Sequence, residues 1–312
     1  MELVTLGGAA LRLSPPGNER LETAGQLDVH VTGPECNAAI AADRLGASAA
    51  WISRLADDPV GRRVVSELRG KDVEVIAEVA DSRQGLSFFE RGSRPRESDR
   101  VDDLEGAAVR ELTMESLPTD PVERADAAYV TSVTPTASRD LAATTAKFLK
   151  TAADAATTTV LGVLEGGAGS DVDPEVVRDT LEGLFPVVDV LVAEEAAVEA
   201  IFDRSGEPSS VTHALASEYD FETVALHRER TAAAWHASKV DEFVLPEVDV
   251  VDETGAADAF AGAFVVSLAD DDVDDALRRA IAADALVRTT PGPTPVFTEG
   301  EIEQLAETLE RP

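Results

Sequence analysis

The sequence predicts an α/β fold of three layers, α/β/α, with a mostly parallel central sheet and a small additional β layer. Three observations predict it. From about residue 125 onward, short apolar runs alternate with amphipathic segments, the pattern of right-handed crossovers and a parallel sheet covered on both faces. Hydrophobic residues make up 44% of the 312 residues, enough for a packed core, and with aromatics at only 4% that core must be built from Ala, Val, Leu and Ile. No repeat or low-complexity linker divides the chain, so residues 1–312 are expected to form one domain.

The first element, Glu2 to Leu6, is a short buried strand ending at Gly7-Gly8. After Pro15-Pro16-Gly17, the alternating run Leu27-Asp28-Val29-His30-Val31 predicts a strand with one wet face, broken by Gly33-Pro34. Asn37 to Leu45 is an apolar helix stopped by Gly46, and Ala49 to Ile52 a strand. Asp58-Pro59 opens a second helix, with Asp58 as N-cap and Pro59 in the first turn. Val73 to Ile76 and Leu86 to Phe89 are strands, and Gly92 to Asp103 is charged and turn-like. The regular alternation then gives strands at 127–130, 158–163, 187–192 and 223–226, and helices at 137–151, 174–184, 195–202 and 209–218. A β region at 232–251 precedes helices at about 256–268, 273–287 and 299–309. The small β layer is expected to act as a lid built from about 9–32 and 73–105.

Charge narrows the function classes. Asp and Glu number 60 against 27 Lys and Arg, a formal net charge of −33. The acids are dispersed, which is not the block pattern of an interaction tail. Such a surface repels itself in dilute salt, and molar salt screens that repulsion, so a halophilic, cytoplasmic protein is expected. The same charge argues against nucleic acid or an anionic membrane as partner. Cys36 is the one cysteine, which excludes an internal disulfide and a Cys-based zinc site, and the four histidines show no paired ligand spacing. No run of 18 apolar residues and no signal-like start is present.

The chemistry lies in Thr254-Gly255-Ala256-Ala257-Asp258, directly before a helical pattern with Ala259, Phe260, Ala263, Phe264 and Leu268 along one side. A small-residue turn at a helix start lets backbone N–H groups converge on an anion. Asp258 stands in the first helical turn beside that turn, where a carboxylate can take a proton from an attacking hydroxyl. An ordinary Asp-rich helix start would read the same in isolation.

The wider pattern resembles the PfkB, or ribokinase-like, carbohydrate kinases. That family carries Asp-x-Thr-Gly-Ala-Gly-Asp-x-Phe late in the chain, and here Asp252, Thr254, Gly255, Ala256, Asp258, Phe260 and Gly262 stand in those places, with Ala257 for the second Gly. A second block, Gly33-Pro34-Glu35-Cys36-Asn37, then Arg44-Leu45-Gly46, then Asp57 to Gly61, resembles the family's Gly-Gly-x-x-x-Asn helix, its Arg-Leu-Gly stop and the Gly-x-Asp-x-x-Gly beyond the next strand. Glu35 with Asn37, and Leu11 to Pro15, most resemble the 2-keto-3-deoxygluconate kinase branch. The resemblance covers the full chain and implies a ribokinase-like fold with ATP and Mg2+ as cofactors. It implies Asp258 as catalytic base and Gly255, Ala256 and Ala257 as the anion hole. Gly33 and Asn37 would meet sugar hydroxyls, Thr254 and Arg228 the nucleotide, and Asp252 the water shell of the metal. A homodimer through the lid is a further implication.

Five family positions read differently. An arginine-bearing element after the central strand is Gly162-Val163-Leu164-Glu165-Gly166. A lid Tyr and Arg fall at Arg100 to Leu104, and a magnesium-linked Asn-x-x-Glu at Glu194-Glu195-Ala196-Ala197. A nucleotide glycine hairpin is Glu229-Arg230-Thr231-Ala232, and an N-terminal Gly-Glu is Gly7-Gly8. Lost arginines remove the natural partner of a carboxylate, and added glutamates repel phosphate. Two functions therefore stay open. One is a kinase of a sugar or sugar acid, 2-keto-3-deoxygluconate being the first choice, using other cations such as Arg91, Arg94 or Arg96. The other is a non-catalytic paralogue that senses a ligand or binds a partner.

Overall fold

A computed structural model of the chain describes residues 1–164, 172–268 and 272–312. In chain order, β1 (Leu3–Leu6), β2 (Ala10–Ser14) and β3 (Asp28–Thr32) are followed by α1 (Pro34–Arg44), β4 (Ala49–Ala56), α2 (Pro59–Arg69), β5 (Glu74–Ala80), β6 (Gly85–Glu90) and β7 (Asp99–Asp103). After the short α3 (Asp120–Glu123) come β8 (Ala127–Thr131), α4 (Val133–Ala137), α5 (Arg139–Asp154), β9 (Thr158–Val163), α6 (Pro174–Glu182), β10 (Val190–Glu194), α7 (Glu195–Phe202), α8 (Pro208–Tyr219) and β11 (Thr223–His227). The hairpin β12 (Thr231–His236) and β13 (Lys239–Val244) precedes α9 (Ala256–Ser267), α10 (Val273–Val287) and α11 (Glu299–Ala306).

Among the described residues these strands form a nine-stranded sheet, ordered β13-β12-β11-β10-β9-β8-β1-β4-β5, and a four-stranded sheet, ordered β3-β2-β6-β7. The ladders from β11 to β5 are parallel, and β12 and β13 close one edge as an antiparallel hairpin. Period-two alternation sends successive side chains to opposite faces. Ala127, Tyr129 and Val160 join the core beneath α1, α2, α9 and α10, while Ala128, Val130 and Leu161 join the core beneath α5 to α8. Both faces are covered, as a parallel sheet requires.

Local chemistry sets several helix starts as the sequence predicts. The Asp58 side chain accepts hydrogen bonds from the Val60 and Gly61 amides, both at 2.8 Å, with Pro59 in the first turn of α2. Such a cap is worth about 1 kcal/mol. α11 begins with a capping box in which Thr298 and Glu301 satisfy each other's backbone.

Three expectations are corrected. Glu74–Ala80 pairs with β4 along its whole length and is the edge of the large sheet, not a strand of the small one. Asp99–Asp103, expected as a charged turn, is a strand antiparallel to β6; the ladder supplies its backbone partners, so a polar edge sequence is tolerated. The β region at 232–251 ends at Val244, and 245–250 carries no strand. No helix among the described residues is long and apolar enough to cross a membrane.

Candidate active site

The parallel strands all point their carboxyl ends one way, where a ligand site is expected in an open α/β sheet. Gly8 after β1, Thr134 after β8, Leu164 after β9, Glu194 at the end of β10 and His227 at the end of β11 all line one cavity of about 830 Å³. The small sheet supplies another wall. Ala10 and Arg12 of β2, Ser87 and Phe89 of β6, and Arg100, Asp102 and Leu104 of and after β7 line the same cavity at alternate positions.

The start of α9 forms the third side. Gly255 has φ +84, and a Cβ there would lie 2.1 Å from the Pro293 carbonyl oxygen, so only glycine makes this turn without displacing backbone. α9 begins at Ala256, and Ala257 is an ordinary helical residue absent from the positive-φ positions; its methyl group does not disturb the turn. Thr254, Gly255, Ala257 and Asp258 line the cavity. The turn therefore presents backbone donors and a carboxylate side by side.

Asp258 opens onto the cavity but is walled by protein. Poor hydration pushes its carboxyl up to about 6, against the opposing pull of Asn37 and Arg100. Asn37 Nδ2 donates to Asp258 Oδ2 at 2.8 Å. Asn37 is 1% exposed and lies behind the carboxylate. The expected contact of Asn37 with sugar hydroxyls is thus replaced by one with the acid itself, because α1 packs directly on α9: a Cβ on Gly262 would lie 2.3 Å from the Ala38 carbonyl oxygen.

Gly33 lines the cavity, and α1 is anchored there by Glu35. Glu35 Oε1 accepts from the Thr131 amide at 3.1 Å and from the Thr131 and Thr134 hydroxyls at 2.6 and 2.7 Å. Burial raises the Glu35 pKa despite those bonds. Sequence reasoning noted Glu35 only as part of a motif; its burial against β8 had no local signal.

Asp252 does not stand open for a metal. Its Oδ2 accepts from Arg12 Nη2 at 2.7 Å, the Gly292 amide at 3.2 Å and Arg91 Nη2 at 3.5 Å, while Oδ1 accepts from the Thr254 amide at 3.1 Å. Burial pushes this carboxyl up, but the Arg12 guanidinium and the Thr254 amide outweigh it and hold the group below the usual carboxylate range. Both oxygens are committed to protein donors, so the expected metal role moves off this residue. Arg12 also donates from Nε to Ser14 at 2.9 Å and lies 3.8 Å over the Phe89 ring. The pair joins the small sheet to the Gly255 turn.

Of the cations expected to replace lost arginines, Arg91 pairs with Asp252, while Arg94 and Arg96 are exposed and do not line the cavity. Arg12 and Arg100 do line it. Arg100 sits 3.3 Å from Asp102 Oδ2, and Ser87 Oγ donates to Asp102 Oδ1 at 2.6 Å. Arg100 was legible only once residues 99–103 became a strand, since alternate positions then face inward.

At the other end, Arg228 Nη2 pairs with Glu195 Oε1 at 2.5 Å, both on the cavity wall. Glu229 lines the exposed rim, while Glu165 and Gly166 lie outside the described residues. No group of three His, Cys, Asp or Glu side chains able to hold a metal occurs among the described residues.

The model of the pfkB family of carbohydrate kinases matches residues 2–299. A 2-dehydro-3-deoxygalactonokinase of Haloferax volcanii is 42% identical over 307 residues, covering 97% of this chain and 96% of that protein. The crystal structure of a 2-dehydro-3-deoxygluconokinase from Thermotoga maritima superposes with a TM-score of 0.91 at 27% identity, covering 98% of both chains. That of an Escherichia coli putative ribokinase II in complex with ATP and Mg2+ has a TM-score of 0.87 at 19% identity, covering 98% of this chain and 99% of that one, a likeness of fold.

Proposed function

The chain belongs to the pfkB family of carbohydrate kinases, and from that premise we propose that it transfers the terminal phosphoryl group of ATP to a hydroxyl of a keto-deoxy sugar acid. The observation that carries this reading is the placement of Asp258, in the first turn of α9, beside the Gly255 turn and on the cavity wall. The sugar hydroxyl oxygen bonds to the γ-phosphorus as the bond to the β-phosphate oxygen breaks. The hydroxyl proton passes to Asp258, and ADP leaves. The amides of Gly255, Ala257 and Asp258 receive the charge on the transferred group, whereas the expected contribution of Ala256 falls away, because its amide donates to the Glu253 carbonyl at 3.2 Å and the residue does not line the cavity.

Asn37 fixes one carboxylate oxygen of Asp258 and leaves the other for the hydroxyl. A carboxyl near 6 is mostly ionised at neutral pH and is a stronger base than an ordinary aspartate. Arg12 and Arg100 supply the positive charge that a sugar carboxylate needs on the small-sheet wall. Thr254 and Arg228, both on the cavity wall, would meet the nucleotide. With no cage of carboxylates among the described residues, a divalent cation fits as one carried by the nucleotide's phosphates, with Glu253 on the wall to hold its water shell. When bound, it neutralises phosphate charge.

A second reading, a non-catalytic ligand-binding paralogue, draws support from Glu229 at the cavity rim and from the lost family arginines. Coupled ADP release in molar KCl across a panel of sugar acids, neutral sugars and nucleosides separates the two. The kinase reading predicts turnover with a keto-deoxy sugar acid and a loss of about 10²-fold or more in Asp258→Asn. Ligand binding with no ADP release from any acceptor would favour the paralogue.

A further inference from the structure

A trio built on a buried carboxylate, with His227 and Arg288 on the cavity wall, takes no part in the proton transfer or sugar binding proposed above. Asp284, on α10, is 1% exposed. Arg288, just past the end of that helix, grips it with two bonds, Nε to Oδ2 at 2.8 Å and Nη2 to Oδ1 at 2.9 Å. His227, the last residue of β11, places Nε2 3.1 Å from Asp284 Oδ1, and its ring lies 5.1 Å from that of Phe260. A two-point grip by a buried carboxylate fixes the plane of a guanidinium as well as its position.

The main chain of Arg288 is equally committed. Its carbonyl oxygen accepts from the Val251 amide at 2.7 Å and the Asp252 amide at 3.2 Å. The residue therefore pins the stretch of chain that enters the anion turn. Asp284 occupies Nε and Nη2 and leaves Nη1, and Arg288 lines the cavity together with Glu253, Thr254 and Gly255, whereas Asp284 does not. Arg228, also on the cavity wall, meets a phosphate with its paired carboxylate Glu195 beside it in the cavity, whereas the carboxylate that grips Arg288 lies outside the cavity lining. A phosphate chain reaching the Gly255 turn past Glu253 and Glu195 needs a fixed cation, and Arg288 is held ready without rearrangement.

We propose that Arg288 binds the phosphate chain of the nucleotide, with buried Asp284 as the positioning residue that aims it. The proposal rests on the kinase reading and adds a phosphate ligand to it. Asp284 is held at a pKa of about 2: burial would push it up, and His227 and Arg288 more than reverse that. Its charge persists at any working pH.

The test is titration calorimetry of wild type, Arg288→Met, Arg288→Lys and the double variant Asp284→Asn/Arg288→Met, using MgADP and adenosine as probes. Arg288→Met is expected to weaken MgADP by about 10-fold or more and to leave adenosine within about 2-fold, because a charge-assisted bond to phosphate is lost and the base is untouched. Arg288→Lys should recover part of the MgADP affinity. The double variant removes both halves of the buried pair, so it supplies a folded protein with the same expected loss if Arg288→Met does not fold. Unchanged MgADP affinity, or equal losses for both probes, overturns the proposal. A wild type that binds neither probe would overturn the kinase reading along with it, whereas a binding wild type with unaffected variants overturns this inference alone.

Discussion

Asp258 carries two opposed demands. Desolvation raises its pKa toward 6, which improves it as a base but makes its charge costly in the folded state. Between the ordinary aspartate value and about 6 the folded chain holds the proton more tightly than the unfolded one, so by proton linkage this group's contribution to stability falls as pH rises through that window. Asp258→Asn keeps an acceptor for Asn37 and removes the charge. It should be nearly inactive yet more stable at neutral pH, by on the order of 1–3 kcal/mol, with the gain vanishing in acid. Thermal melts of both proteins across pH check this, and a variant that melts lower at neutral pH would contradict it. Asn37→Ala removes the bond that opposes desolvation. Its acid limb of activity should move to higher pH, read from kcat/KM profiles. The role proposed for Asp258 follows from the Thr-Gly-Ala-Ala-Asp spelling. Its bond to Asn37 was not, because that contact joins residues 221 positions apart and depends on how α1 packs against α9.

At the scale of elements, the Gly255 turn is secured from two directions. Pro293 crowds Gly255 from one side, and the Arg12–Asp252 pair ties the turn to β2 from the other. Gly255→Ala should cost about 1–3 kcal/mol of stability and most of the turnover, since it sets a Cβ against a carbonyl at positive φ. Arg12→Met leaves Asp252 buried with only the longer Arg91 contact as its cationic partner. A stability loss on the order of 3–5 kcal/mol is expected for breaking a buried pair, with a raised KM for the sugar acid, measured by denaturant unfolding and initial rates. Adding Asp252→Asn should restore part of the stability. A double variant no more stable than Arg12→Met alone would show that the pair is not the tie. The parallel sheet and most helices were readable because buried strands and amphipathic faces write their period into sequence; α7 at 195–202 and α10 at 273–287 fall where the pattern puts them. β7 was not readable, since Asp99-Arg100-Val101-Asp102-Asp103 has no apolar alternation and its strand character comes from pairing with β6. Missing β7 also hid the placement of Arg100 on the cavity wall.

Across the whole molecule, a net charge of −33 sits on a core made largely of small aliphatic side chains. Screening shortens from about 10 Å at 0.1 M salt to about 3 Å at 1 M. The melting temperature should therefore rise steeply from dilute to molar KCl, and a melt insensitive to salt would contradict the proposal that the chain is adapted to concentrated salt. Composition made that proposal legible, while the shape of the cavity, assembled from the ends of five parallel strands and the small sheet, required the fold. All three scales meet in the proposal that Asp258 is the general base of a sugar-acid kinase. Its most direct test is the pH profile of kcat/KM, measured in molar KCl with the sugar acid that supports ADP release and with the fold monitored by circular dichroism at each pH. A plateau above neutral pH and a tenfold fall per unit below about 6 are expected; a rate that stays level well below that value while the protein remains folded would contradict the assignment.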